Sequence, residues 1–589
     1  MTDVIAAPRA GRHSGWSALL LAFAIFALLW ILHIPLRAIY VPNEDDISNL
    51  ADSLLLAPGV RWYDWFTRGD SHFFDLYPDW PAHGTEFAWV GYSRPAFQFV
   101  IYLTHFVLGR DWASYQLINC FVVAGMGAVA FQIAKTVLGL RTGPSLVAAM
   151  LVVLSPPLWV SWLFGVGYAI EPLATVLVAG AFLAVLARRD FLCLALLFLG
   201  LLTKETTLWA PLAATITIML RPKVNESFRR RTFTAAAMLL PLAMWLGLRF
   251  AFFGGIGGTY ATAGYTPLAD FLRLIFLKLT HMHYLFITHK APVGDLPNRG
   301  TGFLILDRGT ALLIYALLSL WVLRVLPEAF DRVRSAMHDM RWPIVDAFFL
   351  VTLWASIALA FHFMLPLAED RYGTSVVVFV WPALVAEVER RGKTIIWLGL
   401  AVLCAVSLFR TSYLLIETIA EPLRTDNYRS MDAYRSMNAV IVQVPTGTRQ
   451  IYVLSAGGLQ VANPEYVGPI LGVSAEIVRI AEIVWKCSDA SDLVAFDHSI
   501  NDGVVSMAVT LPTCANFYFY TNRFNNDLAN GRLYRNDTMS YELPEADPKG
   551  RQPSLSLGRR ITVHVRPNGP ARFIIEHGGP NGIAWFDIP

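Results

Sequence analysis

Residues 191–220 read FLCLALLFLGLLTKETTLWAPLAATITIML. A helix crosses a bilayer with about 20 mostly apolar residues, so this run is too long for one comfortable crossing. Lys204 and Glu205 interrupt it, and basic side chains flank both ends: Arg188 and Arg189 before it, Arg221 and Lys223 after it. Positive charge marks cytoplasmic loops, so both ends belong on the cytoplasmic side. Two short helices meeting at Lys204-Glu205 on the outer side satisfy both facts.

The rest of the chain fits that reading. Of 589 residues, 55% are hydrophobic and only 15% charged, against about 25% charged in an ordinary soluble domain. A soluble globule, a disordered tail and a coiled coil are excluded. The formal charge of +3 offers no basic surface for nucleic acid. Cys120, Cys193, Cys404, Cys487 and Cys514 are too few and too scattered for a disulfide scaffold or a CxxC metal site.

The first apolar run, Trp16 to Ile34, follows Arg9 and Arg12. Without a small-residue cleavage site behind it, it reads as a retained helix with a cytoplasmic amino terminus. Further runs lie near 113–137, 143–163, 170–187, 191–203, 206–220, 232–253, 310–326, 345–367, 373–389 and 395–415. Pro95 to Gly109 is apolar but short. Counting it as a crossing would put every downstream basic cluster outside, so it reads as an interfacial helix. The expectation is a polytopic α-helical membrane protein of about eleven spans over residues 1–416, located in a bacterial inner membrane with its carboxyl terminus outside. Residues 417–589 differ, being rich in Asn, Asp, Gly and Pro with short β-type runs at 450–454, 504–511, 516–521, 561–566 and 572–576. They read as an extracytoplasmic β-rich or α+β domain.

Candidate chemistry begins in the outward loop 35–111, where Glu44, Asp45 and Asp46 follow the first helix. Adjacent carboxylates raise at least one pKa, which suits a general base or a metal ligand. The plainer reading is a solvated loop or a helix start. Glu171, beside Pro172, and Glu205, beside Lys204, add two acids on the same side. Ionisable groups at membrane depth are costly and usually mark a site, although each alone could simply cap a helix end. Arg94, Lys204 and Arg371 lie at outer ends of apolar segments, where a cation could hold a lipid phosphate; snorkelling is the alternative for the arginines. His281, His283 and His289 form no convincing metal set. Cys487 and Cys514 could pair in an oxidising compartment.

The order of these motifs resembles the GT-C superfamily of integral-membrane glycosyltransferases, in particular its protein O-mannosyltransferase-like branch. The order comprises a first helix, Glu44-Asp45-Asp46, Ser93-Arg94-Pro95 opening the interfacial segment, and Tyr115 to Asn119 opening a long helix. Gly200 to Pro211 with its Lys-Glu pair follows, then Glu369-Asp370-Arg371-Tyr372. The likeness covers roughly residues 16–410. It departs from the pattern in lacking an aromatic residue close behind the acids and in having Gln116 where an Arg is frequent. The resemblance implies a polyprenyl-phosphate-linked sugar donor and an acceptor hydroxyl on a glycan, lipid or protein. It implies a single inverting displacement with Asp45 or Asp46 as base. Lys204 and Arg371 would stabilise the leaving phosphate, and Glu171 and Glu205 would orient hydroxyls or hold a divalent cation if one is used. Arg94 and Tyr372 join the substrate-binding set, and no metal ligand is assigned. A transporter or lipid flippase with a periplasmic domain is the alternative; it would show paired charges near mid-membrane and repeat-related helices, and neither is visible.

Overall fold

The computed structural model describes residues 12–34, 94–109, 112–158, 169–220, 227–253, 312–323, 346–364, 370–392, 396–409, 439–455, 473–485, 494–511, 515–520, 525–527, 532–536, 538–543, 554–556, 559–576 and 583–589. It also describes single helical positions at 272, 275, 276, 278, 327, 331, 334 and 394. Glu44, Asp45, Asp46, the three loop histidines, Cys487 and Cys514 lie outside the described residues. The chain divides into two compact units, one of residues 1–32, 89–97 and 116–415, the other of residues 33–88, 98–115 and 416–589.

The helices are, in chain order, α1 (Arg12–His33), α2 (Pro95–Leu108), α3 (Trp112–Gln132), α4 (Thr142–Val153), α5 (Ile170–Leu186), α6 (Asp190–Thr203), α7 (Ala210–Leu220), α8 (Phe228–Ala237) and α9 (Leu240–Phe253). They continue with α10 (Leu312–Leu323), α11 (Ala347–Met364), α12 (Thr374–Arg391) and α13 (Ile396–Phe409). Four described stretches, Gly15–His33, Ser114–Val137, Phe228–Ala251 and Ala347–Met364, are long and apolar enough to cross a membrane by length and composition. The chain is an integral membrane protein.

Two apolar runs break where the chemistry of proline requires it. The run 143–163 was expected to continue, yet α4 stops at Val153 ahead of Ser155-Pro156-Pro157, because proline brings no N–H to the helical ladder. The run 232–253 divides into α8 and α9 around Met238 and Leu239. There the ring of Pro241 would meet the carbonyl of Ala237 in a continuous helix. At the end of α3 the ladder widens into a π turn over Ile133–Val137.

Inside the first unit α12 is buried from Thr374 to Val388. Around it, Phe182 of α5, Trp354 of α11 and Phe379 of α12 form a ring cluster with centroids 5.0 to 5.5 Å apart, and Trp209 meets Trp354 edge-on at 5.6 Å. The indole N–H of Trp354 donates to Thr217 at 2.7 Å, and that of Trp381 donates to Ser155 at 2.9 Å. Both buried donors are thereby satisfied between elements, as an apolar surrounding demands.

In the second unit the carboxyl-terminal strands form two six-stranded sheets. The strands are β1 (Gln450–Ser455), β2 (Glu476–Trp485), β3 (Ala495–Asn501), β4 (Val504–Thr510), β5 (Ala515–Tyr520), β6 (Asn525–Asp527), β7 (Arg532–Asn536), β8 (Met539–Glu542), β9 (Ser554–Ser556), β10 (Arg560–Val565), β11 (Ala571–Glu576) and β12 (Ile583–Ile588). The first sheet runs β12-β11-β1-β2-β5-β9 and the second β3-β4-β10-β8-β7-β6. In the first, β1 lies parallel to both neighbours, β11 and β2. One core joins the sheets: Tyr452, Phe517 and Phe573 from the first pack with Met507, Tyr541 and Val563 from the second. Tyr541 donates its hydroxyl across the gap to the carbonyl of Ile480 at 2.7 Å. The five β-type runs of the sequence all fall on strands of this sandwich, and the other strands were not anticipated.

Candidate functional site

Helix α6 ends at Thr203 because Lys204 takes an extended conformation, with φ −158° and ψ 133°. A single 3-10 turn, Glu205–Thr207, follows before α7. Two short helices thus meet at the Lys-Glu pair, as expected. Both charged residues are nearly inaccessible, Lys204 at 5% and Glu205 at 4% exposure.

Burial of this kind requires compensation, and the first unit supplies it from distant parts of the sequence. Lys204 Nζ lies 3.4 Å from Glu205 Oε1 and 3.5 Å from Glu171 Oε1. Glu171 projects from the first turn of α5, where a carboxylate also meets the positive end of the helix dipole. Arg94, immediately before α2, brings Nη2 to 3.6 Å from Glu205 Oε1. The ammonium of Lys204 stands 5.7 Å over the ring of Tyr372, a cation–π arrangement. Thr206 donates its hydroxyl to Glu171 Oε2 at 2.7 Å. One turn along α5, Thr175 shares a 2.9 Å hydrogen bond with Thr374 of α12, which ties the helix bearing Glu171 to the helix that follows Tyr372.

Glu205 lies in the turn outside the helices. Burial pushes its carboxyl up, but the Lys204 ammonium and then the Arg94 guanidinium outweigh that effect. With help from its own backbone N–H and from Arg249, they hold it at about 2. It is therefore ionised at any physiological pH. Glu205 Oε2 accepts no hydrogen bond among the described residues. The ion-pair distances of 3.4 to 3.6 Å exceed the roughly 2.7–2.9 Å of a charge-assisted hydrogen bond. The pairs neutralise one another without closing tightly.

Of the residues singled out from sequence, Arg94, Glu171, Lys204, Glu205 and Tyr372 come together. Arg371 lies in the 3-10 turn Asp370–Gly373 beside Tyr372, and its side chain is outside what the structure describes, as are Glu44, Asp45 and Asp46. Gln116 is buried and accepts a 2.7 Å hydrogen bond from Asn119. Among the described residues no three His, Cys, Asp or Glu side chains gather in a way that could hold a metal ion.

Two contributors were missed. Thr206 carries no distinguishing sequence signal. Arg249 does: it stands alone in the apolar run 232–253, and a charge there is a flag in its own right. Its guanidinium lies 4.8 Å over the ring of Trp245, it is 3% exposed, and its charge reaches Glu205.

No family model matches the chain, and no curated protein matches it. Among solved structures it is similar to ArnT from Cupriavidus metallidurans bound to undecaprenyl phosphate, at 12% identity and a TM-score of 0.40, over 80% of this chain and 93% of that one. It is similar also to the Archaeoglobus fulgidus oligosaccharyltransferase in complex with zinc and sulfate, at 12% identity and a TM-score of 0.40, over 77% of this chain. The apo form of that enzyme gives 13% identity and a TM-score of 0.38 over 78% of this chain. The chain spans 62% of the length of the oligosaccharyltransferase in the complex and 64% in the apo form.

Proposed function

We propose that the chain is a membrane glycosyltransferase that moves a sugar from a polyprenyl-phosphate donor to an acceptor hydroxyl on the extracytoplasmic face, with inversion. The observation that carries this reading is the convergence of Arg94, Lys204, Glu171, Glu205 and Tyr372 in one buried cluster. Ionisable groups are costly to bury and usually mark a site, and cations held there suit the anionic phosphate of a lipid-linked sugar.

The same cations serve the chemistry. As the glycosidic bond to phosphate breaks, negative charge grows on the departing oxygen, and fixed cations in a water-poor site stabilise it without reorganising. Lys204 and Arg94 take that role in this proposal, joined by Arg371. The phosphate leaves as a stable anion and needs no proton. The acceptor hydroxyl does lose one, and Asp45 or Asp46, with Glu44 beside them, supplies the base, an effect typically worth about 10²- to 10⁴-fold. Glu171 and Glu205 orient sugar or acceptor hydroxyls in this proposal, or would hold a divalent cation if one is used. The topology belonging to this reading has eleven crossings, a cytoplasmic amino terminus and residues 417–589 outside the cytoplasm, where they engage the acceptor.

The test is genetic and chemical. Cell-envelope glycans from the host lacking this protein are compared by mass spectrometry after restoring the wild type, Asp45→Asn or Asp46→Asn. At least one variant should fail to restore the product while reaching wild-type levels in the membrane. Full restoration by both would reject the proposed base.

A further inference from the structure

The turn that carries Lys204 touches Glu171 twice. Lys204 Nζ stands 3.5 Å from Oε1, and Thr206, two residues on, donates to Oε2 at 2.7 Å. Both contacts are buried, with Thr206 6% and Glu171 2% exposed. One carboxylate is thus gripped oxygen by oxygen, a hydroxyl on one side and an ammonium on the other. A carboxylate can present both oxygens to a single cation, and a two-oxygen contact would engage Lys204 far more fully than the observed approach. The short bond to Thr206 opposes that rotation.

We infer that Thr206 is a positioning residue: its hydroxyl holds Glu171 Oε2 away from Lys204 and so sets where the ammonium stands relative to an anionic phosphate headgroup. This deepens the glycosyltransferase reading and rests on it for the identity of the ligand. Two other features point the same way. Thr207 donates its hydroxyl to the carbonyl of Lys204 at 2.9 Å, which stiffens the same turn. Thr175 donates to the Glu171 carbonyl at 3.0 Å while bonding Thr374, so the backbone beneath Glu171 is also fixed. With backbone and turn both held, the Thr206 hydroxyl restrains the side-chain rotation of Glu171.

The test uses the full chain in lipid nanodiscs, with undecaprenyl phosphate as the probe. Thr206→Val keeps the shape and removes the donor, whereas Thr206→Ser keeps the donor. Affinity per folded molecule should fall roughly three- to tenfold in Thr206→Val and stay within about twofold of wild type in Thr206→Ser. In a Glu171→Gln background, where the carboxylate held by Thr206 is gone and Glu205 is left unchanged beside Lys204, Thr206→Val should cause no further loss. A merely structural role would lower stability in both backgrounds and leave the affinity of folded molecules unchanged, and that result overturns the inference. A second arm needs no ligand: the carboxylate stretching bands of Thr206→Val minus wild type should shift by infrared difference, and the shift should vanish with Glu171→Gln. Wild type that binds no lipid phosphate would sink the functional reading. An unchanged carboxylate band would sink the role of Thr206.

Discussion

Replacing Lys204 with methionine removes the ammonium that stands 3.4 and 3.5 Å from two buried carboxylates. At an effective dielectric of about 20, unit charges 3.5 Å apart attract by about 4–5 kcal/mol. Part of that is offset, because the ammonium is itself desolvated in the folded protein. Breaking a buried pair by deleting one partner typically costs about 3–5 kcal/mol, chiefly because the other charge is stranded. The expected loss for Lys204→Met lies in that range, with Glu205 keeping Arg94 at 3.6 Å and Glu171 keeping the Thr206 hydroxyl. Adding Glu171→Gln should restore part of the loss, because the stranded charge is gone and an amide oxygen still accepts from Thr206. The four proteins form a double-mutant cycle, measured by SDS-driven unfolding in mixed micelles. A coupling of about 1–3 kcal/mol is expected for groups in direct contact. Additivity within about 0.5 kcal/mol, or a Lys204→Met variant as stable as wild type, would refute the claim that these groups form one electrostatic unit.

Other consequences can be checked separately. A Cβ at Gly127 would lie 2.6 Å from Ile25 Cδ1 and 2.9 Å from Val153 Cγ2, so Gly127→Val should wedge α1 and α4 off α3 at a cost of about 1–3 kcal/mol in the same unfolding assay. In the sandwich, Arg572 donates to both oxygens of Asp587 at 2.6 and 2.7 Å, and this bonding holds the Asp587 carboxyl below its ordinary 3.8. A depressed carboxylate stabilises the fold above its unfolded pKa and loses that contribution as pH falls through the folded value. Arg572→Gln should therefore weaken hydrogen-exchange protection across residues 571–588 at neutral pH, with the gap to wild type closing below about pH 3.8; a gap constant with pH would contradict this.

The break between α6 and α7 was legible because Lys204 and Glu205 are the only charges in a long apolar run, and membrane depth leaves few reasons to keep a charge. Glu171 and Arg94 were legible for the same reason. What sequence could not show was their convergence: residues 94, 171, 204, 205 and 249 are brought together by helix packing, and no spacing rule links them. Arg249 carried a readable signal, whereas Thr206 did not, since a threonine's hydroxyl acquires meaning only from what stands opposite. The proline-induced ends of α4 and α8 were written in Pro156, Pro157 and Pro241, but overall hydrophobicity hid them. In the carboxyl-terminal unit the anticipated runs fall on strands with buried, β-branched or aromatic residues, such as β4, β10 and β11. Strand β3, mostly exposed at a sheet edge, shows no alternation because it has only one neighbouring strand and little core to face.

The most direct examination of the central claim is an experimentally determined structure of the full chain in lipid, with undecaprenyl phosphate added. Phosphate density is expected within hydrogen-bonding reach of Lys204 Nζ, with the Arg94 guanidinium turned toward it. Density for the headgroup at any other place, with Lys204 still closed between Glu171 and Glu205, would contradict it.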